Sequence, residues 1–307
     1  VRANGERNPD YKDTFAFTND FPALLPESSR AGFNRKNLLV ARSEMGICRV
    51  VNFSPRHDLT LAEMNVPSIE GVIEAWQREF EQLSSNRRIR SIQIFENKGA
   101  MMGNSNPHPH CQIWAQSSLP ADLSKECRHF AAHFRRTSRS LLADYLLLEL
   151  ESCERIVWEN ENFVVLVPFW AFWPFETLVI PRRPMATLLD LRQKDKQDFA
   201  EAIRAVTVKY DNLFETSFPY SSGIHQAPSD GRSHPEWHWH MHFYPPLLRS
   251  STIKKFMVGY ELLAEPQRDI TPEYSAGILR ELSLEHYRKR GEDGVDKMNS
   301  LDGSALF

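Results

Sequence analysis

What the chain lacks narrows it first. None of its 307 residues belong to an apolar run near the roughly 20 that a membrane-spanning helix needs, and no secretory signal opens it. With 37 Lys and Arg against 40 Asp and Glu, the net charge of -3 supplies no general pull toward nucleic acid or anionic membrane. Any anionic ligand must then be met locally, by cations, amides or metal. The four cysteines, Cys48, Cys111, Cys127 and Cys153, are widely spaced and make no CxxC pair, so no disulfide framework is indicated and reduced thiols are the default. These absences point to a cytoplasmic protein with neither membrane nor nucleic acid as partner. A hydrophobic content of 41% suffices for one large domain or two of ordinary size.

What is present is histidine in clusters. Of eleven, eight fall into three groups: His108/His110, His129/His133 and His234/His238/His240/His242. In Asn106-Pro107-His108-Pro109-His110-Cys111-Gln112 two imidazoles and an amide alternate, so on an extended strand His108, His110 and Gln112 share one face. Imidazole can be metal ligand, general base or nucleophile, and spacing alone does not choose. Pro107 and Pro109 cannot donate to a ladder, which predicts an edge or rim strand. Cys111 falls on the opposite face, where packing is its expected role.

The order of elements repeats. Residues 48–57 read as a strand entering a loop, followed by a helix over 68–83 with its stripe at Ile69, Val72, Ile73, Trp76, Phe80 and Leu83. A strand over 89–95 and the histidine strand come next. Later, a strand at 177–181 precedes a helix with Phe199, Ile203, Val206, Tyr210 and Leu213 on one face, and a strand over 238–244 ends the unit. Pro55 to His110 spans 55 residues and Pro181 to His240 spans 59, so the two histidine strands hold equivalent places. Duplication is the simplest cause. The expected architecture is α+β, two halves on one extended antiparallel sheet with helices packed on it. The halves are placed at 1–155 (catalytic) and 156–287 (metal-binding), with a helix over 141–150 ending the first and a flexible tail over 288–307.

At this point the sequence resembles the galactose-1-phosphate uridylyltransferase family of the histidine triad superfamily. The resemblance rests on Asn8-Pro-Asp-Tyr11, Phe17-Thr-Asn-Asp-Phe21, Phe95-Glu-Asn-Lys-Gly99, Ser105-Asn-Pro-His-Pro-His110 with Gln112, and Pro174-Phe-Glu-Thr177. It continues in Tyr210-Asp-Asn-Leu-Phe214, in residues 242–250 and in Lys255-Phe-Met-Val-Gly-Tyr-Glu261. It implies transfer of UMP from UDP-glucose, through a covalent uridylyl-histidine on His110, to galactose 1-phosphate. Gln112 and Ser105 would assist at the phosphates; Phe17, Asn19, Asp20 and Phe21 would meet the uridine; Asn97 would meet sugar or phosphate. Lys255, Tyr260, Glu261 and Gln267 would meet the hexose from the partner subunit of a homodimer. No organic cofactor is implied. An iron or zinc site would use Glu126, His225, His240 and His242, and a zinc site would use His57 and His108 if a cysteine pair lies upstream of Val1; without that pair His108 would serve to orient the strand beside His110.

Two departures are visible: Asn104 stands where better-known members carry cysteine, and Cys111 where many carry glycine. Two other functions remain in view. One is a related phosphorylase or transferase of an adenine nucleotide sugar such as ADP-glucose, which shares the triad chemistry. The other is a metal-binding regulatory protein without catalysis, against which the retention of His110 and Gln112 argues.

Overall fold

The computed structural model describes residues 5, 7–27, 31–104 and 106–290. The first part of the chain forms β1 (Phe15–Thr18), a short hairpin of β2 (Gly32–Arg35) and β3 (Leu39–Arg42), and β4 (Gly46–Asn52). Then come α1 (Val66–Ser84), β5 (Ser91–Lys98), β6 (His110–Gln116), α2 (Ala121–Thr137) and α3 (Leu141–Ser152). The second part gives β7 (Ile156–Glu159), β8 (Phe163–Leu166), β9 (Thr177–Pro181), α4 (Gln193–Leu213), β10 (Tyr220–His225) and β11 (His240–Tyr244). Two shorter helices follow, α5 (Tyr260–Leu263) and α6 (Pro272–Glu281).

Every strand except the β2–β3 pair joins one antiparallel sheet in the order β1-β4-β6-β5-β10-β11-β9-β8-β7. The central six read the same from either end: β4-β6-β5 is answered by β10-β11-β9. The expected α+β architecture is therefore present, with equivalent strands β5 and β10 pairing where the halves meet. Gln112 lies opposite Phe95, and His242 lies opposite Gly223. Phe95 and Gly223 in turn pair with each other, so a local two-fold axis passes between them. A Cβ on Gly223 would fit tightly there, 3.3 Å from Ile94 O and from the Gln93 amide nitrogen, so the neighbours would have to give by a few tenths of an ångström.

Period-two alternation divides the sheet into a core face and a site face. On β6, Cys111, Ile113 and Ala115 are buried in the core, while His110, Gln112 and Trp114 lie half-buried on the other side. The core face is covered by α1 and α4, whose stripes follow the sequence: Ile69, Val72, Ile73, Trp76 and Phe80 from one, Phe199, Ile203, Val206 and Tyr210 from the other, all buried. Trp76 meets Phe199 with ring centroids 6.5 Å apart. Its indole N–H points at Cys111 Sγ, 3.1 Å away, so Cys111 is a packing residue, and burial pushes its thiol pKa far up.

Three sequence expectations require correction. The histidine strand β6 is central, paired with β4 on one side and β5 on the other. Pro107 and Pro109 do not force an edge because they precede the ladder, and Pro109 still uses its carbonyl to accept from Phe53 N at 3.0 Å. His238 lies outside β11: Trp239 N donates to Met185 O at 2.8 Å, and the His238 ring donates from Nε2 to Pro181 O at 2.7 Å. At the other end, Arg288 belongs to a 3-10 turn over Tyr287–Lys289 and pairs with Glu63 at 2.8 Å. The remainder of the tail, 291–307, lies outside the described residues.

At the C-terminal end of β5, buried charges tie the sheet to α4. Lys98 Nζ meets Asp211 at 2.7 Å, and His286 approaches the same carboxylate at 3.2 Å. Beside them Glu96 accepts from Tyr220 OH at 3.1 Å. Burial raises the Glu96 pKa to about 7, against the lowering pull of Lys98 and Tyr220. An unfolded glutamate ionises near 4.5, so between about pH 4.5 and 7 only the unfolded chain releases this proton. Stability contributed by Glu96 is therefore present below that window and lost as pH rises through it, by on the order of 3 kcal/mol. Denaturant titrations at pH 5 and pH 8 should give a smaller loss of stability on going to pH 8 for Glu96→Gln than for the parent; equal losses contradict this reading.

Candidate active site

The site face carries parallel rows of side chains, because directly paired residues in adjacent strands point the same way. One row runs Phe17, Val50, Gln112, Phe95, Gly223, His242. Its neighbour contains Phe15, Asn52 and His110, and the β5–β6 register continued by two residues brings Asn97 level with His110. In the second half the residue opposite His240 is His225. Asn97 and His225 are thus equivalent positions beside equivalent histidines.

His110 donates from Nδ1 to the carbonyl of His108, two residues back, at 2.7 Å. A carbonyl can only accept, so the proton sits on Nδ1 and Nε2 carries the lone pair. Among the described residues no hydrogen bond or ion pair engages Nε2. His240 repeats the arrangement, Nδ1 to His238 O at 3.0 Å. A cavity of about 430 Å³ opens beside His110 and is lined also by Glu96, Lys98, Asn104, Pro107 and Pro109.

Gln112 shares the face of His110, and its Oε1 accepts from Trp114 Nε1 at 3.1 Å. Asn97 Oδ1 accepts from Ser221 Oγ at 2.6 Å, a contact that crosses from one half to the other. His108 precedes the strand and is buried; its Nδ1 lies 2.8 Å from His57 Nδ1, with one ring donating to the other. Tyr11 OH is 3.3 Å from His108 Nε2 and accepts from Asn52 Nδ2 at 3.0 Å. Burial, aided by His57, lowers the His108 pKa and keeps the ring neutral. Two imidazoles are half of the four ligands usual for structural zinc.

The remaining sequence candidates are placed as follows. Phe17 stacks on Phe15, centroids 5.6 Å apart, two strands from Gln112. Asn19 accepts from Phe21 N at 3.0 Å, Asp20 lies between them, and Phe21 is 81% exposed, which excludes core packing for that ring. Lys255 is buried and paired with Glu261 at 3.1 Å and Asp269 at 2.5 Å. Tyr260 and Gln267 are exposed. Among the described residues no hydrogen bond or ion pair joins this segment to His110, Gln112 or Asn97. Ser105 lies outside the described residues.

Glu126, His225, His240 and His242 come together, their candidate ligand atoms all within 4.8 Å of one another. Glu126 reaches over from α2, with Oε1 2.8 Å from His225 Nδ1 and 3.7 Å from His240 Nε2. His242 engages Tyr244 OH through Nδ1 at 3.0 Å. His242 Nε2 and Glu126 Oε2 are both buried without a hydrogen-bond partner. Unpaired buried polar atoms facing one centre are costly in a bare protein, and a cation there would satisfy them. Burial opposes the Glu126 charge, but bonds from His225 and His240 outweigh it and hold its pKa well below the usual range. Burial, then the neighbouring His240 and His225, keep His242 neutral. One carboxylate and three imidazoles form a donor set suited to zinc or iron.

Trp114, Tyr244, Ser221 and Glu96 were not among the sequence candidates. The first two could have been found by extending the alternation two residues beyond Gln112 and His242.

A sheet doubled about an internal axis sets an imidazole with Nε2 unengaged among the described residues on one histidine strand and a carboxylate–histidine cluster at the other, and comparison with known proteins places the chain among the transferases. Family profiles described as galactose-1-phosphate uridyl transferase, N-terminal and C-terminal domain, match residues 1–120 and 126–291. The chain is 49% identical to the galactose-1-phosphate uridylyltransferase of Rattus norvegicus, over 94% of this chain and 76% of that one. A solved uridylyltransferase superposes with a TM-score of 0.79 at 25% identity, covering 87% of this chain and 85% of that one. An ADP-glucose phosphorylase of Arabidopsis thaliana, solved with ADP-glucose bound, gives 0.74 at 24% identity, with 92% and 85% covered; this is likeness of fold. The chain belongs to the galactose-1-phosphate uridylyltransferase family and is a transferase. None of the described helices is long and apolar enough to cross a membrane.

If the cluster holds a metal, the purified protein should carry about one zinc or iron ion there by elemental analysis. His242→Ala should lose it and melt at lower temperature; a variant with the parent's metal content contradicts the assignment.

Proposed function

We propose that this chain moves UMP from UDP-glucose to galactose 1-phosphate by double displacement, with His110 as nucleophile. The observation that carries the reading is the Nδ1–H bond to the His108 carbonyl, which leaves Nε2 with its lone pair and no hydrogen bond among the described residues. In the first step Nε2 forms a bond to the α-phosphorus while the bond from that phosphorus to the bridging oxygen breaks, releasing glucose 1-phosphate. In the second, a phosphate oxygen of galactose 1-phosphate attacks the same phosphorus and the N–P bond breaks, giving UDP-galactose. No proton is gained or lost by the enzyme. The uridylylated ring is cationic, and the same carbonyl stabilises it through a charge-assisted hydrogen bond.

Gln112 donates to a non-bridging phosphoryl oxygen, an interaction of the type worth about 3 kcal/mol at the transition state. As a neutral amide it supplies no acid, which suits transfer to a sugar phosphate. Ser105 assists at the same phosphates. Phe17, Asn19, Asp20 and Phe21 serve the uridine, and Asn97 a sugar or phosphate oxygen. Lys255, Tyr260, Glu261 and Gln267 serve the hexose of a partner subunit's site in a homodimer. Support for that arrangement is the exposure of Phe256, Tyr260, Leu262 and Leu263 on this segment. Glu126, His225, His240 and His242 hold zinc or iron as a structural support, and His57 and His108 take zinc if two further ligands are supplied. The catalytic half spans 1–155 and the metal-binding half 156–287, and the protein works in the cytoplasm. Uridylyl transfer is preferred to ADP-glucose chemistry because the 49%-identical relative carries the former name.

His110→Ala should reduce exchange of labelled glucose 1-phosphate into UDP-glucose by at least about 10⁴-fold, the scale of losing a nucleophile. Retention of a tenth of the parental exchange would sink the assignment.

A further inference from the structure

We infer that Trp114 is a positioning residue for the transfer, keying the Gln112 amide so that its NH2 end faces the phosphates. This rests on the reading of Gln112 as the phosphoryl donor. An amide side chain has an acceptor end and a donor end of nearly the same shape, and only one end is useful against a phosphoryl oxygen. Turned the wrong way, Gln112 would present its carbonyl to that oxygen, and two acceptors would repel. An indole N–H can only donate. The atom 3.1 Å from Trp114 Nε1 must therefore be Oε1, and Nε2 with both its hydrogens is turned outward. Among the described residues no other hydrogen bond engages the Gln112 side chain, so Trp114 alone sets which end is presented.

Trp114 is itself fixed. Its backbone lies in the central ladder, level with Cys48 on β4 and Gln93 on β5. Its ring meets Phe95 edge-on, with centroids 5.5 Å apart and planes at 79°. Phe95 in turn occupies the two-fold position opposite Gly223. The indole is thus a preorganised donor, held by packing as well as by its own hydrogen bond.

The second half supplies an independent parallel. His242 is the counterpart of Gln112, and Tyr244 is the counterpart of Trp114. Tyr244 OH lies 3.0 Å from His242 Nδ1, so the third side chain of the motif is again held by the polar atom of an aromatic residue two positions on. In each half the contact commits the far end of that side chain: Nε2 of His242 is left for the Glu126 cluster, and Nε2 of Gln112 is left unbonded on the face that carries His110. Two copies that differ in both partners keep one geometry. Packing alone would preserve an aromatic ring there, but would not require a polar atom aimed at the neighbour.

The test is a double-mutant cycle on the full chain, using Trp114→Phe and Gln112→Ala with UDP-glucose and galactose 1-phosphate as substrates. W114F keeps the ring against Phe95 and removes only the N–H. The expected result is a fall in kcat of about tenfold, the scale of one lost hydrogen bond, with KM for UDP-glucose within about twofold and an unchanged melting midpoint. In the Q112A background W114F should cost nothing further, because the N–H acts through the amide. Equal losses in both backgrounds, or no loss in the parent background, overturn the inference. If Q112A alone leaves the rate unchanged, the donor role of Gln112 fails and the inference falls with it, an outcome distinct from the other two. Trp114→Met, which also lacks a donor, carries the same comparison should W114F not fold.

Discussion

The antiparallel pairing of β5 with β10 is the constraint on which the site depends. It makes one continuous sheet of two similar halves, and the registration of Phe95 against Gly223 sets both histidine strands on the same face. Had the register slipped by one residue, every side chain of one half would have changed face, placing its imidazoles in the core beneath α1 and α4. Gly223 eases that register, since a Cβ there would come within 3.3 Å of the Ile94 carbonyl and the Gln93 amide. The contact of Ser221 with Asn97 then spans the junction, so a residue of β10 bonds to one beside His110.

From a common plan the halves diverge by few positions. Both hold the middle histidine through Nδ1 to the carbonyl two residues back. Beside it stands Asn97 in one half and His225 in the other. The third position is Gln112 in one and His242 in the other. α2 brings Glu126 to the His225 side, where the imidazoles gather round a carboxylate. The other half keeps neutral amides and a free Nε2, the composition suited to attack on phosphorus.

Much of this was legible in the sequence because it follows from periodicity. The stripes of α1 and α4, the alternation along β6 and the similar spacing of the two histidine strands required no tertiary information. The four residues of the Glu126 cluster came from resemblance, since no local rule connects position 126 with 225. The edge expected from Pro107 and Pro109 failed because a proline just ahead of a ladder costs no bond within it. His238 failed as a strand residue because its ring and its neighbour's backbone found partners in 181–185. Trp114 was overlooked because a tryptophan near a core reads as packing, and only the direction of its N–H reveals otherwise. The pairing of Lys255 with Asp269, 14 positions away, was likewise invisible before folding.

The central claim concerns which nitrogen of which histidine forms the covalent link. Enzyme with ¹⁵N-labelled histidine, treated with UDP-glucose and kept alkaline, should show a ³¹P–¹⁵N coupling to a single imidazole nitrogen, Nε2 of His110. Coupling to Nδ1, or a phosphorylated ring assigned to His240, would contradict the account.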